Sequence, residues 1–158
     1  MQNAELDETD CAILREMQAD GRLANVELAR RIGLSPPAAL VRLKRLEESG
    51  HIRHFTAVVD REKTGYDLLC FIHINLRMHQ VSQVEKFRRA VRRMPEVLEC
   101  HHITGEHDYL LKVALRNRRD LERFLLERIT PIPGVARIHT SLVLTEIKST
   151  TALPLEGK

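Results

Sequence analysis

The spacing of apolar residues changes near residue 55 of the 158-residue chain. Before that point, apolar residues recur every three or four positions, which is the spacing of amphipathic helices. From about residue 56 onward, short apolar runs alternate with helical segments, which predicts strands mixed with helices. The pattern therefore divides the chain into an all-helical first part and an α+β second part.

The first part begins with two predicted helices. The first runs from an N-cap at Asp7 to Gly21, and the second from an N-cap at Asn25 to Gly33. Both begin with a residue that can accept a hydrogen bond from a free amide of the first turn, and both are followed by a glycine that favours a helix end.

A third helix is predicted in spite of two adjacent prolines. Ser35 is the predicted N-cap, so Pro36 and Pro37 fall in the first turn, where amide protons have no partner in the helix. The helix then continues to Gly50. Its leucines at 40, 43 and 46, with Val41 beside them, are predicted to face inward.

The second and third predicted helices are joined by the short turn "GLS", which is the arrangement of a helix-turn-helix. Small side chains at the start of the third helix would let its backbone approach a major groove, and arginines can bind guanine edges or phosphates. We predict Arg42 and Arg45 on the outer face as the chief contacts. The residues predicted to contact DNA are Asn25, Arg31, Ser35, Pro36, Pro37, Ala38, Ala39, Arg42, Lys44, Arg45 and Arg53. The alternative is a three-helix packing domain with a solvated charged face.

After Gly50, the stretch "HIRHFTAVVD" alternates like a hairpin strand and is predicted to form a wing, from which Arg53 would touch a phosphate. The second part then follows the order β-α-β-β-α-β, which is the ferredoxin-like plan. The predicted elements are 68–78, 81–94, 96–104, 108–115, 118–129 and 134–147. The predicted organisation is a DNA-binding domain (1–55), a linker strand (56–66), a ferredoxin-like domain (67–148) and a loosely structured tail (149–158).

The distribution of charge along the chain says more about a binding partner than the overall composition does. The net charge is only +3, but residues 30–54 hold six basic and two acidic side chains, whereas residues 1–29 hold two basic and seven acidic. A short cationic segment suits a polyanion such as double-stranded DNA. The chain has no apolar run long enough to span a bilayer, and its polar N-terminus is unlike a signal peptide, so we predict a cytoplasmic protein without a membrane partner.

Metal and disulfide chemistry are not expected. Three cysteines lie far apart, which argues against a disulfide framework or a thiolate zinc site. Cys100, His101, His102 and His107 are close in sequence, but neighbours on a strand point to opposite faces, so they form no recognised ligand set.

Two signatures together resemble the Lrp/AsnC family of leucine-responsive, or feast/famine, transcription regulators. They are the segment "NVELARRIGLSPPAALVRLKRLEESGHI" and the pair "ITGEHDYLLKV" and "TSLVLTEIKSTTALPL". The resemblance implies a winged helix-turn-helix followed by an αβ-sandwich RAM domain, and dimers that often assemble into tetramers or octamers. It also implies an amino-acid effector between RAM domains, with no other cofactor. A symmetric dimer predicts an imperfectly palindromic operator.

The G-x-x-D-Y motif of this family corresponds to Gly105, Asp108 and Tyr109. Exposed amides near Gly105 are candidates to hold an α-carboxylate, and Asp108 to pair with an α-ammonium group. Thr104 and Thr140 are included as further effector contacts. Without the resemblance, the motif also fits a plain β-turn.

No catalytic motif is present, and we expect no enzyme activity. One enzymatic alternative stays open, because sirohaem decarboxylases resemble the same two-domain architecture. The cationic third helix argues against that alternative.

Overall fold

The computed structural model describes residues 6–77 and 81–156. Its helices and strands follow the predicted order. They are α1 Glu8–Ala19, α2 Asn25–Arg31, α3 Pro36–Glu48, β1 Leu68–Leu76, α4 Val81–Val91, β2 Val97–His102, β3 Tyr109–Leu115, α5 Arg118–Arg123 with a π-helical continuation Phe124–Ile129, and β4 Val135–Leu142. The predicted end of the first strand at Met78, the first five residues of the predicted DNA-binding domain and the last two of the tail lie outside the described residues.

The chain forms two compact units. The first comprises residues 1–58 together with 148–158, and the second comprises residues 59–147. In the second unit, four antiparallel strands form one sheet in the order β2-β3-β1-β4, which is the predicted ferredoxin-like topology.

Alternation along β1 decides which face of this sheet is covered. Ile72 and Ile74 point to the helix-covered face of the sheet. There they pack in one core with Phe87 of α4 and with Phe124 and Ile129 of the π-helical continuation of α5. The intervening His73 and Asn75 therefore lie on the opposite, open face of the sheet. This places two polar residues in the centre of a surface that the helices of the unit do not cover.

The first unit is a small helical bundle. Asp7 caps α1 as predicted, and its carboxylate and that of Asp10 accept each other's backbone amides in a capping box. Ile13 of α1, Leu28 of α2 and Leu46 of α3 are almost completely buried together. These three residues fix the helices around one aliphatic core.

One predicted helix cap in the first unit is wrong, because Ala24, not Asn25, is the N-cap of α2. Residues 53–60 are exposed and form no strand within the described chain, so the predicted linker strand and the strand of the wing are not seen in it. The tail is attached to the helical unit near its end, because the carbonyl oxygen of Leu155 accepts a hydrogen bond from Arg15 of α1 at 2.9 Å and the Leu155 side chain packs on the core.

The tail contacts α1, which lies more than 130 residues earlier in the sequence. Gln18 of α1 donates to the carbonyl of Leu153 at 3.1 Å and accepts from the amide of Leu153 at 2.6 Å. Within the residues described, no helix is long and apolar enough to cross a membrane.

Candidate DNA-binding helix and effector turn

The start of α3 is built as the sequence predicts. The hydroxyl of Ser35 accepts a hydrogen bond from the amide of Ala38 at 3.4 Å, and the two prolines occupy the first helical positions. Asn25 of α2 donates from Nδ2 to the carbonyl oxygen of Pro36 at 2.8 Å. That bond ties the beginning of α3 to α2, so the helix-turn-helix angle is fixed by a polar contact as well as by the core.

The outer face of α3 differs from the predicted one. Val41 is 68% exposed and Leu40 is 41% exposed, whereas Ala39 is completely buried. The prediction that Leu40 and Val41 face inward is therefore wrong, and Ala39, which we predicted to contact DNA, lies in the interior. The helix is rotated relative to our prediction, because the side that carries Ala39 and Leu46 is the one buried against α1 and the rest of the core.

The arginines of α3 are held by α1. Asp10, with only 3% of its side chain exposed, accepts from Arg45 Nη2 at 2.6 Å and 2.5 Å and from Arg42 Nη1 at 2.9 Å. Arg42 also donates to Asp7 at 2.7 Å. The hydrogen bond from Arg42 lowers the pKa of Asp7. The hydrogen bonds that Arg42 donates, first to Asp7 and then to Asp10, raise the pKa of Arg42. Both Arg42 and Arg45 are therefore engaged in ion pairs with acidic residues at the start of α1.

Arg31, another predicted DNA contact, is also in a network. It donates to Glu27 at 2.8 Å on its own helix and to Glu16 of α1 at 2.8 Å. Hydrogen bonds first from Arg30 and then from Arg31 lower the pKa of Glu27 to about 2. This network joins α1 to α2 and leaves Arg31 partly exposed at the surface.

The remaining predicted DNA contacts are exposed at the surface. They are Ser35, Pro36, Pro37, Ala38, Lys44 and Arg53. Together with Leu40 and Val41 they form what we call the outer face of the DNA-binding unit. The sequence signal for Leu40 and Val41 was present, since an apolar pair beside a full apolar stripe makes a helix face too wide to bury in a three-helix unit.

The predicted effector motif forms a tight turn between β2 and β3. Gly105 has a φ of +110°, a backbone conformation that side chains with a Cβ rarely adopt. Asp108 anchors the turn to β1 in two ways: its Oδ2 accepts the amide of Leu76 at 2.7 Å, and its own amide donates to the carbonyl of Ile74 at 3.0 Å. The aspartate of the motif therefore holds the turn in place.

A residue that the sequence did not single out makes a second anchor. Asn75 donates from Nδ2 to the carbonyl oxygen of Glu106 at 2.7 Å, and its Oδ1 lies 2.9 Å from Nδ1 of His107. The available signal was a polar residue near the end of an otherwise apolar strand. We call residues 104–108, with these attachments, the effector turn.

The other predicted effector residues lie in different places. Thr104 is exposed on the turn. Tyr109 is buried on the helix-covered face, with its ring 4.6 Å from that of Phe87 and 4.9 Å from that of His102. Its hydrogen bond with Arg88 is the main cause that raises the pKa of that arginine.

Thr140 is not beside the turn within one chain. Thr140 on β4 pairs with Ile72 of β1, whereas Tyr109, which follows the turn on β3, pairs with Ile74 of β1. Within one chain, β1 therefore lies between Thr140 and the effector turn. Among the residues described, no group of three or more histidine, cysteine or acidic side chains is arranged to hold a metal ion.

Comparison with known proteins follows the same division of the chain. Residues 6–53 match the family model for winged helix-turn-helix DNA-binding, and residues 69–153 match the model for the Lrp/AsnC ligand binding domain. The chain is 36% identical over 151 residues to the transcriptional regulator AzlB of Bacillus subtilis, covering 96% of each chain. It is 38% identical over 154 residues to the leucine-responsive regulatory protein of Escherichia coli, covering 98% of this chain and 94% of the relative.

Solved structures agree over nearly the full length. A transcriptional regulator of Neisseria meningitidis in complex with L-methionine superposes with a TM-score of 0.92 at 41% identity, over 95% of this chain and 97% of that one. AsnC of E. coli superposes with a TM-score of 0.86 at 28% identity, over 94% and 98% of the two chains.

Proposed function

This chain belongs to the Lrp/AsnC family of DNA-binding transcription regulators with a ligand-binding domain, and we propose that it reads DNA with the outer face of α3 and responds to an amino acid held at the effector turn. The observation that carries the first half is the exposed face of α3, which presents Val41 and Lys44 while its arginines are bound to α1. The relatives are transcription regulators, which supports this function over the decarboxylase alternative.

The outer face has the chemistry of a major-groove surface. Leu40 and Val41 offer apolar groups of the kind that contact thymine methyl groups, and Lys44 offers a charge for a phosphate. Ser35 and the two prolines bring the backbone to the same surface, and Arg53 adds a second cation beyond the helix. In this proposal, the main role of Arg42 and Arg45 is to fix the orientation of α3 relative to α1.

The DNA proposal is tested by fluorescence anisotropy with duplexes from the protein's own promoter region. We expect Val41→Ala to weaken operator binding about fivefold and to relax the preference at one base pair, since roughly 1 kcal/mol of apolar contact is lost. Lys44→Ala should weaken binding to all sequences and reduce the salt slope by about 1. Val81→Ala is the matched control, because Val81 is 78% exposed on α4 of the second unit. Equal affinities for the Val41 and Val81 variants would contradict the assigned face.

We further propose that the DNA-binding form is a symmetric dimer on an imperfect palindrome. Residues 53–60 are exposed and form no strand within the described chain, and Phe55, Val58 and Val59 carry large apolar groups in this segment. Such a segment is suited to pairing with its own copy. Analytical ultracentrifugation should give a dimer or a multiple of it, and Val58→Lys should shift the equilibrium towards monomer. A wild-type monomer at micromolar concentration would refute the proposal.

For the effector, we propose that the turn binds the α-carboxylate of an amino acid. Residues 104–106 are exposed, and in the part of the chain that the structure describes their backbone amides donate no hydrogen bond. Backbone amides in such a turn suit an anion. Asp108 positions the turn and is the candidate partner for an α-ammonium group, while Tyr109 supports it from the covered face. Thr140 is proposed to reach the ligand from a second copy.

A thermal-shift screen with each proteinogenic L-amino acid tests the effector proposal. L-methionine is the first probe, because the similar Neisseria regulator was solved with it. The best ligand should raise the melting temperature of the wild type but not of Asp108→Ala or Gly105→Ala, both of which should still bind operator DNA. Val81→Ala serves again as the control that keeps the ligand response. Calorimetry showing wild-type affinity in Asp108→Ala would refute the turn as the site.

A further inference from the structure

Three imidazole rings from three separate segments meet on the open face of the sheet in the second unit. His73 on β1 pairs directly with His139 on β4, and His107 belongs to the effector turn. The ring centroid of His73 lies 4.6 Å from that of His107 and 5.7 Å from that of His139, and the latter two centroids are 6.2 Å apart. We call His73, His107 and His139 the histidine cluster.

The surroundings of His73 favour its neutral form. Burial, and then the proximity of His107 and His139, lower the pKa of His73, whereas a hydrogen bond with the backbone of His139 and the carboxylate of Glu106 act in the opposite direction. Nδ1 of His73 is buried and has no hydrogen-bond partner among the described residues. A proton on His73 would therefore place a positive charge next to two other imidazole rings, one of them carried by the effector turn.

Other charged groups near the cluster are mostly engaged. Arg137 on β4 lies opposite Asn75, and Lys112 on β3 lies opposite Phe71. Nζ of Lys112 is 3.5 Å from Oε1 of Glu99 on β2, and Oε2 of Glu99 is 3.0 Å from Nε2 of His101. Asp108 in the turn accepts the amide of Leu76. Glu106 of the turn is the carboxylate that favours a proton on His73, and it acts against burial and the two neighbouring rings.

The cluster is connected to the effector turn through Asn75. Since the amide oxygen of Asn75 can only accept, Nδ1 of His107 must be the donor in their 2.9 Å contact, and Asn75 in turn donates to Glu106. We propose that protonation of His73, whose ring packs against His107, loosens the effector turn from β1, which makes effector binding sensitive to pH. The sheet ladder fixes His73 and His139, so His107 and the turn that carries it are the part able to move apart.

The sign follows from the direction of the pKa shift. A histidine whose pKa is lowered in the attached state gains its proton more readily when the turn is released, so acid favours release. The attachment is complete above the ordinary histidine value of about 6.5 and weakens as the pH falls below it. The effect on the effector rests on the proposed function, whereas the effect on the turn does not.

Amide hydrogen exchange on the full-length protein without effector tests the turn directly. Two amides report its attachment: that of Leu76, which donates to Asp108, and that of Asp108, which donates to Ile74. Between about pH 7.5 and 5.5, we expect their protection factors to fall severalfold, because the pKa of His73 is lowered while the turn is attached. The amide of Val113 in the middle of β3 should change little.

Variants separate the cluster from other acid effects. His73→Gln should remove most of the fall in protection, and the exposed His139→Gln serves the same purpose if the first variant folds poorly. His54→Gln in the first unit is the matched control and should behave as the wild type. The proposal is overturned by unchanged protection between the two pH values, or by an equal fall in the wild type and both cluster variants.

A second measurement keeps this proposal distinct from the effector assignment. Titration with L-methionine at the two pH values should show severalfold lower affinity at the acid value in the wild type, and a smaller change in His73→Gln. If L-methionine does not bind at either pH while the exchange result is as expected, the effector assignment fails, whereas the proposed loosening of the turn by acid stands. If it binds with the same affinity at both values, the coupling of switch to effector is refuted.

Discussion

Replacing Asp10 by asparagine tests whether the arginines of α3 are structural supports. The carboxylate is nearly buried and accepts three short hydrogen bonds from Arg42 and Arg45, whereas the side chains of the two arginines are 33% and 55% exposed. Asparagine keeps the size of the side chain but loses the charge, and its NH2 group would face guanidinium donors.

The expected loss lies below that of a fully buried ion pair. Removing one partner of such a pair costs about 3–5 kcal/mol, but here water can solvate both guanidinium groups once they are released. We therefore expect a loss of about 2–3 kcal/mol, most of it from charge-assisted hydrogen bonds and part from the capping box of α1. For a unit of this size, that corresponds to a melting transition roughly 10–20 °C lower.

The assay is thermal unfolding of the full-length protein followed by far-ultraviolet circular dichroism. Glu8→Gln is the matched control, because it removes the same charge from an exposed position in the same helical turn and should change stability by less than about 0.5 kcal/mol. A double-mutant cycle of Asp10→Asn with Arg45→Ala should give a coupling of at least about 1 kcal/mol. If Asp10→Asn melts like Glu8→Gln, the arginines are not supports, and their role would have to be sought at the DNA.

Three further predictions concern the fold. Gly134→Ala should destabilise the second unit by about 1–3 kcal/mol in denaturant titration, because φ is +94° and the new Cβ would lie 2.7 Å from Oε1 of Gln83; stability equal to wild type would contradict this. Deleting residues 152–158 should lower the stability of the helical unit by about 1–3 kcal/mol, since the partly buried contact of Leu155 and four hydrogen bonds to α1 are lost, and an unchanged melting curve would refute a docked tail. Because the pKa of His73 is lowered by folding, stability should be complete above pH about 6.5 and fall as the pH decreases below it, and His73→Gln should flatten that dependence in urea titrations at several pH values.

Much of the candidate site could be predicted from local rules. The prolines at the start of α3, the cap at Ser35 and the positive φ of Gly105 depend on a few neighbouring residues, and the structure has all three as expected. The facing of α3 could not be predicted in the same way. Asp10 and Arg45 are 35 residues apart, and nothing in the spacing of either helix indicates that they meet.

The effector turn shows the same limit. The motif identified the turn, but Asn75, which holds it to β1, is 31 residues away from Glu106. Likewise, His73 and His139 become neighbours only through the register of β1 and β4. Sequence spacing assigns each residue to a strand face, whereas strand register decides which faces share a site.

The sequence by itself therefore determined the order of helices and strands, the helix caps at Asp7 and Ser35, the ferredoxin-like plan and the family resemblance. These depend on periodicity and turn chemistry, which act over a few residues. Only the tertiary structure decided that the α3 arginines support α1, that Val41 faces outward, that the tail covers the first helix and that three histidines meet at the effector turn. Those outcomes depend on which distant surfaces compete to bury a given face, and that competition is settled by packing of the whole unit.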